Sequence, residues 1–551
     1  MNEIKTSCAS TDRKWSTWES IDWNKCEIAV NKLQARIVKA QKAGKHGKVK
    51  SLQWVLTHSF YAKALAVKRV TSNSGSDTAG VDKVKWSTPN ARFKAIGELK
   101  RRGYKPQPLK RVNIKKSNGK LRPLGIPTMK DRAMQALYLL ALEPVSETTA
   151  DSNSYGFRKE RSTGDAREQC FCVLAKKTSP EWIMEGDIKG CFDHISHEWL
   201  LNNIPMDKVM LRKWLKCGFV FNKELFPTEE GTPQGGIISP TLANMTLDGL
   251  QTMLAEKYHK KFVNRKTTYY PKVHLVRYAD DFIITGRSKE ALEEIKPLVV
   301  DFLKERGLTL SEEKTKITHI DDGFDFLGYN IRKYKGVLLI KPSQKSLKKF
   351  MQKIRGIIDS NKGSKQESLI RLLNLVITGW VNYYKNCVAS DTFRKADYLI
   401  FEKLWQWAKR RHPKKGKYWI ADRYFTRVKN RNWCFVANFK KGKTDDRIAL
   451  KRLYDTKITR YVKIKGEANP FDPEWTEYFE KRKTYKMLQS LNGRKSLLYM
   501  WERQNHLCPV CGKPIDKEHP WGTSQQIVNG KKVNFLLHDS CRRKVIQTNK
   551  M

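Results

Sequence analysis

Residues 276–285 read VRYADDFIIT, which places the adjacent acids Asp280 and Asp281 between two apolar, strand-forming segments. Two such segments around a short polar break predict a β-hairpin with the acids at its tight turn. Paired acids are also common in turns where the carboxylates are solvated or bond to the local backbone. This stretch alone therefore allows both a structural and a functional interpretation.

A second acid favours the functional interpretation. Residues 182–187 read WIMEGD and end an apolar segment at Asp187, 93 residues before Asp280. A connection of that length can bring two strands side by side, and carboxylates that meet at strand ends bind hard divalent cations. Two such ions, about 3.5–4 Å apart, form the clamp for in-line phosphoryl displacement. The sequence therefore predicts two Mg²⁺ ions held by Asp187, Asp280 and Asp281, with Asp281 less essential than the other two.

The charge of the chain indicates a polyanionic partner. The 551 residues include 107 Lys and Arg against 56 Asp and Glu, a formal net charge of +51. Nucleic acid is the first candidate, because basic side chains release counterions from a phosphate backbone. A charged soluble surface or a peripheral membrane protein is the alternative. Apolar residues make up 40% of the chain, which excludes disorder throughout.

The sequence predicts neither a membrane-spanning segment nor export. It contains no run of about 20 apolar residues, and the polar N-terminus lacks the apolar core of a signal peptide. The 11 cysteines are scattered. A disulfide framework is therefore not expected, and a reducing cytoplasm is the expected compartment.

Changes of pattern along the chain predict five regions. Helical periodicity dominates the start, helical and strand patterns alternate through the centre, and helical periodicity returns from about residue 341. The regions are a helical N-terminal extension (1–90), a central α+β body (91–340), a helical region (341–425), a basic region (426–500) and a small cysteine-containing module (501–551).

A basic and aromatic stretch lies across two of these regions. Residues 401–460 contain 19 Lys or Arg against 5 Asp or Glu, interleaved with Trp405, Trp407, Trp419 and Trp433. Basic and flat aromatic side chains together suit contact with a nucleic-acid backbone and stacking on bases. The tryptophans can instead form the core of a small helical domain, and we expect about half of them to do so.

The acidic motifs resemble those of a known enzyme family. Residues 278–281 (YADD) resemble the central motif of reverse transcriptases, and Asp187 with Phe192 resembles the palm motif that precedes it. Further motifs occur in the family's order at 120–127 (KLRPLGIP), 154–158 (SYGFR), 231–236 (GTPQGG), 310–316 (LSEEKTK) and 326–329 (FLGY).

One motif points to a subgroup of that family. Residues 379–384 (GWVNYY) resemble the thumb, or X domain, of the maturases encoded by bacterial and organellar group II introns. The resemblance covers the chain well from about residue 25 to residue 425. It implies a right-hand polymerase fold of the α+β class, with fingers and an antiparallel palm sheet over 91–340 and an α-helical thumb over 341–425. A small C-terminal DNA-binding and zinc-like module would follow.

The resemblance also assigns residues that bind the incoming nucleotide. Lys120 and Arg122 would grip the triphosphate with charge-assisted hydrogen bonds, and Gln234, beside two glycines, would approach the nucleotide closely. Phe192 would lie beneath the sugar and exclude a 2′-hydroxyl, which favours deoxynucleoside triphosphates. Lys314 would donate a proton to pyrophosphate or offset its charge. Each residue also has an ordinary structural explanation, as surface charge, part of a turn or a core aromatic.

The C-terminal module contains a cysteine pair with metal-ligand spacing. Residues 507–512 (LCPVCG) have the shape of a zinc knuckle, and residues 538–541 (HDSC) follow. A tetrahedral Zn²⁺ needs four ligands, but Lys544 stands where a second C-x-x-C pair would place its last thiolate. A histidine can substitute for that thiolate. The candidate zinc ligands are Cys508, Cys511, His538 and Cys541.

The same module resembles the HNH DNA endonuclease found at the end of many intron maturases. The paired histidines that would act as general base and metal ligand are absent near residues 521–523, where only His519 stands nearby. We therefore expect a degenerate module without cleavage activity. Its cysteine pair can alternatively pack in a small remnant fold without Zn²⁺.

Together these resemblances imply an RNA-directed DNA polymerase that is also a splicing factor, or maturase, of a mobile group II intron. Its partners would be its own intron RNA, deoxynucleoside triphosphates and target DNA, which residues 426–500 would contact mainly through phosphates. It would act in a ribonucleoprotein, for splicing and for retrohoming by target-primed reverse transcription. The expected location is a bacterial cytoplasm, in association with the nucleoid, with an organelle as the alternative.

Two other functions remain open. One is a splicing cofactor with an unused polymerase site, against which the complete set of acids argues. The other is a reverse transcriptase that serves a different host role such as phage defence, which residues 379–384 and the C-terminal module disfavour. An RNA-dependent RNA polymerase is disfavoured by Phe192.

Overall fold

The structure is a computed structural model that describes residues 15–115, 119, 121–263, 266–428, 430–441, 444–528 and 531–548. The chain forms two units, residues 1–467 and 468–551. The division falls inside the basic region predicted over 426–500, so that the first part of that region belongs to the larger unit. Within the described residues, every helix is too short or too polar to span a membrane.

A group of helices opens the described chain. They are α1 (Trp23–Lys42), α2 (His46–His58), α3 (Phe60–Thr71) and α4 (Pro89–Glu98). The side chain of Asp22 caps α1 by accepting a backbone hydrogen bond, and Val30 and Ile37 bury the apolar face that the sequence predicts. A break between α1 and α2 occurs at Gly44, whose φ is +66°. A second break, at the extended residue Ser59, separates α2 from α3.

A β-hairpin and a long central body follow. The hairpin consists of β1 (Leu109–Lys115) and β2 (Leu121–Ile126), which pair antiparallel on either side of Gly119. The next elements are α5 (Met129–Thr149), α6 (Thr163–Leu174), β3 (Trp182–Asp187), α7 (Cys191–His194), α8 (His197–Asn203), α9 (Lys208–Leu215), β4 (Phe219–Phe221), β5 (Glu224–Phe226), α10 (Ser239–Leu247), α11 (Leu250–Lys257), β6 (Lys261–Val263), β7 (Lys266–Tyr269), β8 (His274–Tyr278), β9 (Asp281–Gly286), α12 (Lys289–Lys304) and β10 (Lys316–His319).

Four antiparallel strands form the sheet at the centre of this body, in the order β10-β3-β9-β8. Successive residues of β3, Ile183 and Met184, are both fully buried, so both faces of the sheet are covered. The apolar cluster that contains Met184 and Ile284 continues into the N-terminal helices. The N-terminal helices and the sheet therefore share one core.

The larger unit continues with a small sheet, a helical region and a second small sheet. These elements are β11 (Phe324–Phe326), β12 (Tyr329–Tyr334), β13 (Val337–Pro342), α13 (Gln344–Ser360), α14 (Gln366–Tyr384), α15 (Ser390–Arg411), α16 (Lys417–Tyr424), β14 (Phe425–Val428), β15 (Arg431–Lys441) and β16 (Thr444–Ala449).

The motif at the end of α14 packs on the turn between β11 and β12. The hydroxyl groups of Tyr383 and Tyr384 donate hydrogen bonds to the carbonyl oxygens of Leu327 (2.8 Å) and Gly328 (2.9 Å). The hydroxyl of Tyr329 donates in return to the carbonyl of Tyr383 at 3.0 Å. Two of the motifs that the sequence singled out, 326–329 and 379–384, are therefore in direct contact.

The four interleaved tryptophans divide between core and surface. Trp407 is only 5% exposed, and its Nε1 donates to the carbonyl of Asn361 at 3.0 Å. Trp405 is half-buried, whereas Trp419 and Trp433 are 40% and 53% exposed. This agrees with the expectation that about half would form a core, and it leaves two aromatic faces on a basic surface.

Residues 453–466, which begin with a short 3-10 helix (Leu453–Asp455) and contain no further helix or strand, connect the helical region back to α6. At one end Asp397 on α15 accepts the backbone N–H groups of Leu453 and Tyr454, at 2.8 and 2.9 Å. At the other end the N–H of Ile464 donates to Asp165 in the first turn of α6, at 2.8 Å. The segment is thus fixed to both parts, and we call it the strap.

The smaller unit contains three α-helices and a β-hairpin. Its elements are α17 (Thr476–Leu491), α18 (Lys495–Arg503), β17 (Trp521–Val528), β18 (Lys531–His538) and α19 (Asp539–Thr548). Trp501 is 2% exposed and packs with Met487 and Leu536 in a separate apolar cluster. Its Nε1 donates to the carbonyl of Ile515 at 2.9 Å, which satisfies the buried ring nitrogen.

The contact between the strap and α6 predicts a sharp size limit at Gly164. A β-carbon there would lie 2.6 Å from the ring of Tyr461, so Gly164→Ala should lower the free energy of unfolding by about 1–3 kcal/mol. Gly97→Ala in α4, where a β-carbon meets nothing within 4 Å, is the control and should be neutral or stabilising by about 1 kcal/mol. Chemical denaturation measures both variants. Equal midpoints would contradict the packing of Tyr461 on Gly164.

Candidate active site

The adjacent acids lie at the turn of the hairpin formed by β8 and β9, as predicted. Tyr278 pairs with Asp281, which leaves Ala279 and Asp280 as the turn residues. Ala279 has a φ of +57°, the left-handed conformation that two-residue hairpin turns require. On the other side of β9, β3 pairs Asp187 directly with Asp281. Opposed residues have Cα atoms about 4.5–5.5 Å apart, so the three predicted carboxylates meet at one end of neighbouring strands.

This crowding raises the pKa of the acids. Burial and the negative charges of Asp280 and Asp187 raise the pKa of Asp281 to about 6. Burial and the charge of Asp187 also raise the pKa of Asp280, while the positive charges of Arg122 and Lys314 oppose that shift. Carboxylates that repel one another at this range favour the presence of cations between them.

The donor atoms and the space fit divalent cations. A cavity of about 840 Å³ adjoins Asp187 and Asp281, and its acidic oxygens are the hard ligands that Mg²⁺ prefers. Glu185 lines the same cavity, and burial together with the charge of Asp325 raises its pKa to about 7. Sequence reasoning missed Glu185, although its position two residues before Asp187 puts both side chains on one face of β3.

Lys314 lies beside the acids at the open side of the site. Its Nζ donates to Oδ2 of Asp187 at 2.7 Å, and its side chain is 66% exposed. This hydrogen bond raises the pKa of Lys314, so the ammonium group stays charged. The position agrees with the expected role of offsetting negative charge, and an ammonium group can also supply a proton.

A chain of polar contacts connects the β1–β2 hairpin to the palm motif. Nε of Arg122 donates to Oε1 of Gln234 at 2.5 Å, and Nε2 of Gln234 donates to Asp193 at 3.5 Å. Asp193 follows Phe192 on α7, where Phe192 is 8% exposed. Lys120 lies outside the described residues. The structure therefore brings Arg122, Gln234 and Phe192 together, and it adds Asp193, which has no local sequence signal.

The glycine beside Gln234 packs closely on the β1–β2 hairpin. A β-carbon on Gly235 would lie 2.1 Å from the carbonyl oxygen of Gly125 on β2. The missing side chain thus lets the loop approach β2, and close approach of Gln234 to the nucleotide stays a prediction. The backbone N–H of Thr232 donates to the carbonyl of Phe192 at 2.6 Å, which ties this loop to α7.

Comparisons with known proteins identify the family. The reverse transcriptase (RNA-dependent DNA polymerase) family matches residues 114–331, the N-terminal domain of reverse transcriptase matches 18–99, and the group II intron, maturase-specific domain matches 347–425. Protein YkfC of Escherichia coli is 35% identical over 305 residues, which cover 49% of this chain and 79% of YkfC. The chain belongs to the group II intron reverse transcriptases and maturases.

A second relative is matched over a smaller share of its own length. The group II intron-encoded protein LtrA of Lactococcus lactis is 34% identical over 334 residues, 49% of this chain and 54% of LtrA. The chain thus spans about half the length of LtrA. Among solved structures, telomerase from Candida albicans in complex with a fragment of telomeric RNA matches with a TM-score of 0.31 and 13% identity, over 57% of this chain and 63% of that chain. Reverse transcriptases use divalent metal ions, which agrees with the acidic site.

The smaller unit of this reverse transcriptase and maturase brings the four candidate zinc ligands together. The ligand atoms of Cys508, Cys511, His538 and Cys541 all lie within 4.8 Å of one another. Nε2 of His538 lies 3.0 Å from the carbonyl oxygen of Pro514 and can only donate to it, which leaves Nδ1 as the free lone pair, 3.4 Å from Sγ of Cys511. Burial and the neighbouring thiols raise the pKa of Cys541 to about 12. This donor set fits a tetrahedral Zn²⁺.

The raised pKa of Asp281 predicts that metal affinity depends on pH. A carboxyl group binds a cation only after losing its proton, and burial and neighbouring charges move that loss from the ordinary value of 3.8 to about 6 in the metal-free protein. The affinity for Mn²⁺ should therefore fall as the pH decreases through 6, by about tenfold per unit. Isothermal titration calorimetry at several pH values measures this. Asp281→Asn should bind more weakly and with a flatter dependence, and an unchanged slope would contradict the assignment.

Proposed function

We propose that this chain is an RNA-directed DNA polymerase and splicing factor of a mobile group II intron. The observation that carries the proposal is the pairing of Asp187 with Asp281 beside the turn residue Asp280, within reach of Arg122 and Lys314. An acidic cluster flanked by cations on its open side is the arrangement that phosphoryl transfer to a nucleic-acid end requires.

Each residue has a distinct task in this polymerase. Asp187, Asp280 and Asp281 would hold two Mg²⁺ ions, which supply charge at the attacking 3′-hydroxyl and at the leaving pyrophosphate. Arg122 would grip the triphosphate of the deoxynucleotide, with Gln234 orienting its guanidinium. Phe192 would lie beneath the sugar and exclude a 2′-hydroxyl, and Lys314 would donate a proton to pyrophosphate or offset its charge.

The remaining surface suits the RNA partner. The net charge of +51 and the exposed Trp419 and Trp433 favour contact with phosphates and unpaired bases of the intron RNA. Splicing chemistry would belong to the RNA, while the protein supplies cationic surface and fixed geometry. Such binding should weaken steeply with salt, because counterions are released.

The family also suggests how the protein would insert its intron into DNA and where it would act. The excised intron and the protein would act as a ribonucleoprotein that inserts into target DNA by target-primed reverse transcription. Residues 426–500 would contact that DNA mainly through phosphates. A bacterial cytoplasm, near the nucleoid, is the proposed location.

We propose Zn²⁺ as a structural ion of the smaller unit, held by the four residues gathered there. This unit would bind nucleic acid without cutting it, because the paired histidines of the endonuclease resemblance are absent. His519 does not replace them, since its Nδ1 is engaged by Asp516 at 2.9 Å.

Asp280→Asn separates polymerase activity from RNA binding. Loss of one metal-binding charge should lower primer extension on an RNA template by about 10²–10³-fold, while intron RNA binding changes little. Extension assays with Mg²⁺ and filter binding give the two readouts, and Asp301→Asn on α12, an exposed acid outside the site, is the matched control. Loss of both functions would mean that Asp280 is structural. No extension by the natural sequence would favour the splicing-cofactor alternative.

Removal of one zinc ligand should destabilise the smaller unit. His538→Ala should lower the zinc content of the purified full chain, measured by mass spectrometry, and the midpoint of the unfolding step of residues 468–551, because structural Zn²⁺ contributes directly to folding. Cys172→Ser, at an exposed cysteine of the larger unit, is the control and should change neither. A natural protein that contains no zinc and does not respond to chelators would contradict the proposal.

A further inference from the structure

We infer that Phe157 forms a second wall, beside Phe192, of the pocket that would hold the sugar of the incoming nucleotide. The two rings together would select deoxyribonucleotides over ribonucleotides. The inference rests on the proposed polymerase function and adds a specificity-determining residue to it. It is carried by the position of the Phe157 ring, by the constraint on its backbone and by its connection to the turn between β8 and β9, which contains Ala279 and Asp280.

The ring of Phe157 lies against the ring of Phe192 while remaining open to solvent. The two ring centroids are 6.3 Å apart at an interplanar angle of 78°, an edge-to-face contact. Phe192 is 8% exposed, whereas Phe157 is 57% exposed. A large apolar side chain left in the open beside an active site, with one edge on a buried aromatic, is placed to contact a substrate.

The backbone of Phe157 is held in an unfavourable conformation. Its φ is +57°, in the left-handed region that side chains with a β-carbon rarely adopt. Its neighbours impose this conformation: the N–H of Tyr155 donates to the carbonyl of Arg277 at 2.9 Å, and Nδ2 of Asn244 donates to the carbonyl of Gly156 at 2.7 Å. On the other side, Nη1 of Arg158 donates to the carbonyl of Ser154 at 2.7 Å. Strain that the surrounding structure maintains in this way is characteristic of functional sites.

Gly156, the residue before Phe157, packs directly on the turn between β8 and β9. A β-carbon on Gly156 would lie 2.4 Å from the backbone nitrogen of Ala279, so only glycine allows this approach. Ala279 immediately precedes Asp280. The position of the Phe157 ring is therefore fixed relative to the acids as well as to Phe192.

This arrangement gives a physical basis for sugar selection. A phenyl ring offers no hydrogen-bond partner, so a 2′-hydroxyl pressed against it loses its water without compensation. Phe157 also supports the ring of Phe192 from the side and limits its displacement by a ribose. A deoxyribose has no 2′-hydroxyl, so it loses no such water and does not displace the Phe192 ring.

The test measures kcat/KM for a deoxynucleotide and for the matching ribonucleotide in primer extension. Phe157→Ala and Phe157→Gly should both lower the discrimination ratio by about tenfold. The glycine variant removes the ring and also relieves the left-handed strain, so agreement between the two variants assigns the effect to the ring. Phe171→Ala, at an exposed phenylalanine of α6, is the matched control and should keep the natural ratio.

A double variant tests whether the two rings act together. Because Phe157 would both contact the sugar and support Phe192, Phe157→Ala combined with Phe192→Ala should lose less discrimination than the sum of the two single losses. Fully additive losses would overturn the shared wall. An unchanged ratio in Phe157→Ala, with KM raised equally for both sugars, would also overturn the inference. Absence of extension by the natural protein would instead refute the proposed polymerase function.

Discussion

The pairing of β3 with β9 is the contact on which the whole site depends. Side chains alternate between the faces of a strand, so a slip of one residue would turn Asp187 away from the acids of the hairpin. Gly186 lies opposite Phe282, and a β-carbon on Gly186 would stand 2.2 Å from the Phe282 ring. The ring therefore lies across the glycine, and this fit is available in one register only. One glycine thus fixes which carboxylates meet.

Repulsion between the three carboxylates destabilises the fold that brings them together. Three carboxylates are brought together in a chain with an excess of basic residues, and two cations that oppose their repulsion, Lys314 and Arg122, are exposed. Burial and mutual repulsion raise the pKa of Asp280 and Asp281, and the two cations offset the repulsion only in part. The apolar core shared by the sheet and the N-terminal helices supplies the compensating stability. Without bound cations the acidic site lowers the stability of the folded protein, as functional sites commonly do.

Local patterns in the sequence were enough to predict the hairpin, its acids and the partner strand that ends at Asp187. They could not show contacts between distant segments, because nothing in the strap indicates that Tyr461 will meet Ser162, 299 residues away. The contact of Gln234 with Arg122 has the same origin, since the loop and the hairpin meet only in the folded chain. Glu185 was within reach of pattern reasoning, because the period of two in a strand already put it beside Asp187.

Arg277 shows why a strand buried on both faces contains a charged residue. The sequence pattern calls for an apolar side chain at this fully buried position. Its guanidinium instead pairs with Asp248 and donates to Asn244 Oδ1 at 3.3 Å and to the carbonyl of Ala279 at 3.4 Å. A lysine ammonium could not reach these acceptors with the same planar geometry. Arg277 therefore holds the left-handed turn through its side chain and the segment before Phe157 through its backbone, so one buried cation maintains both strained residues of the site.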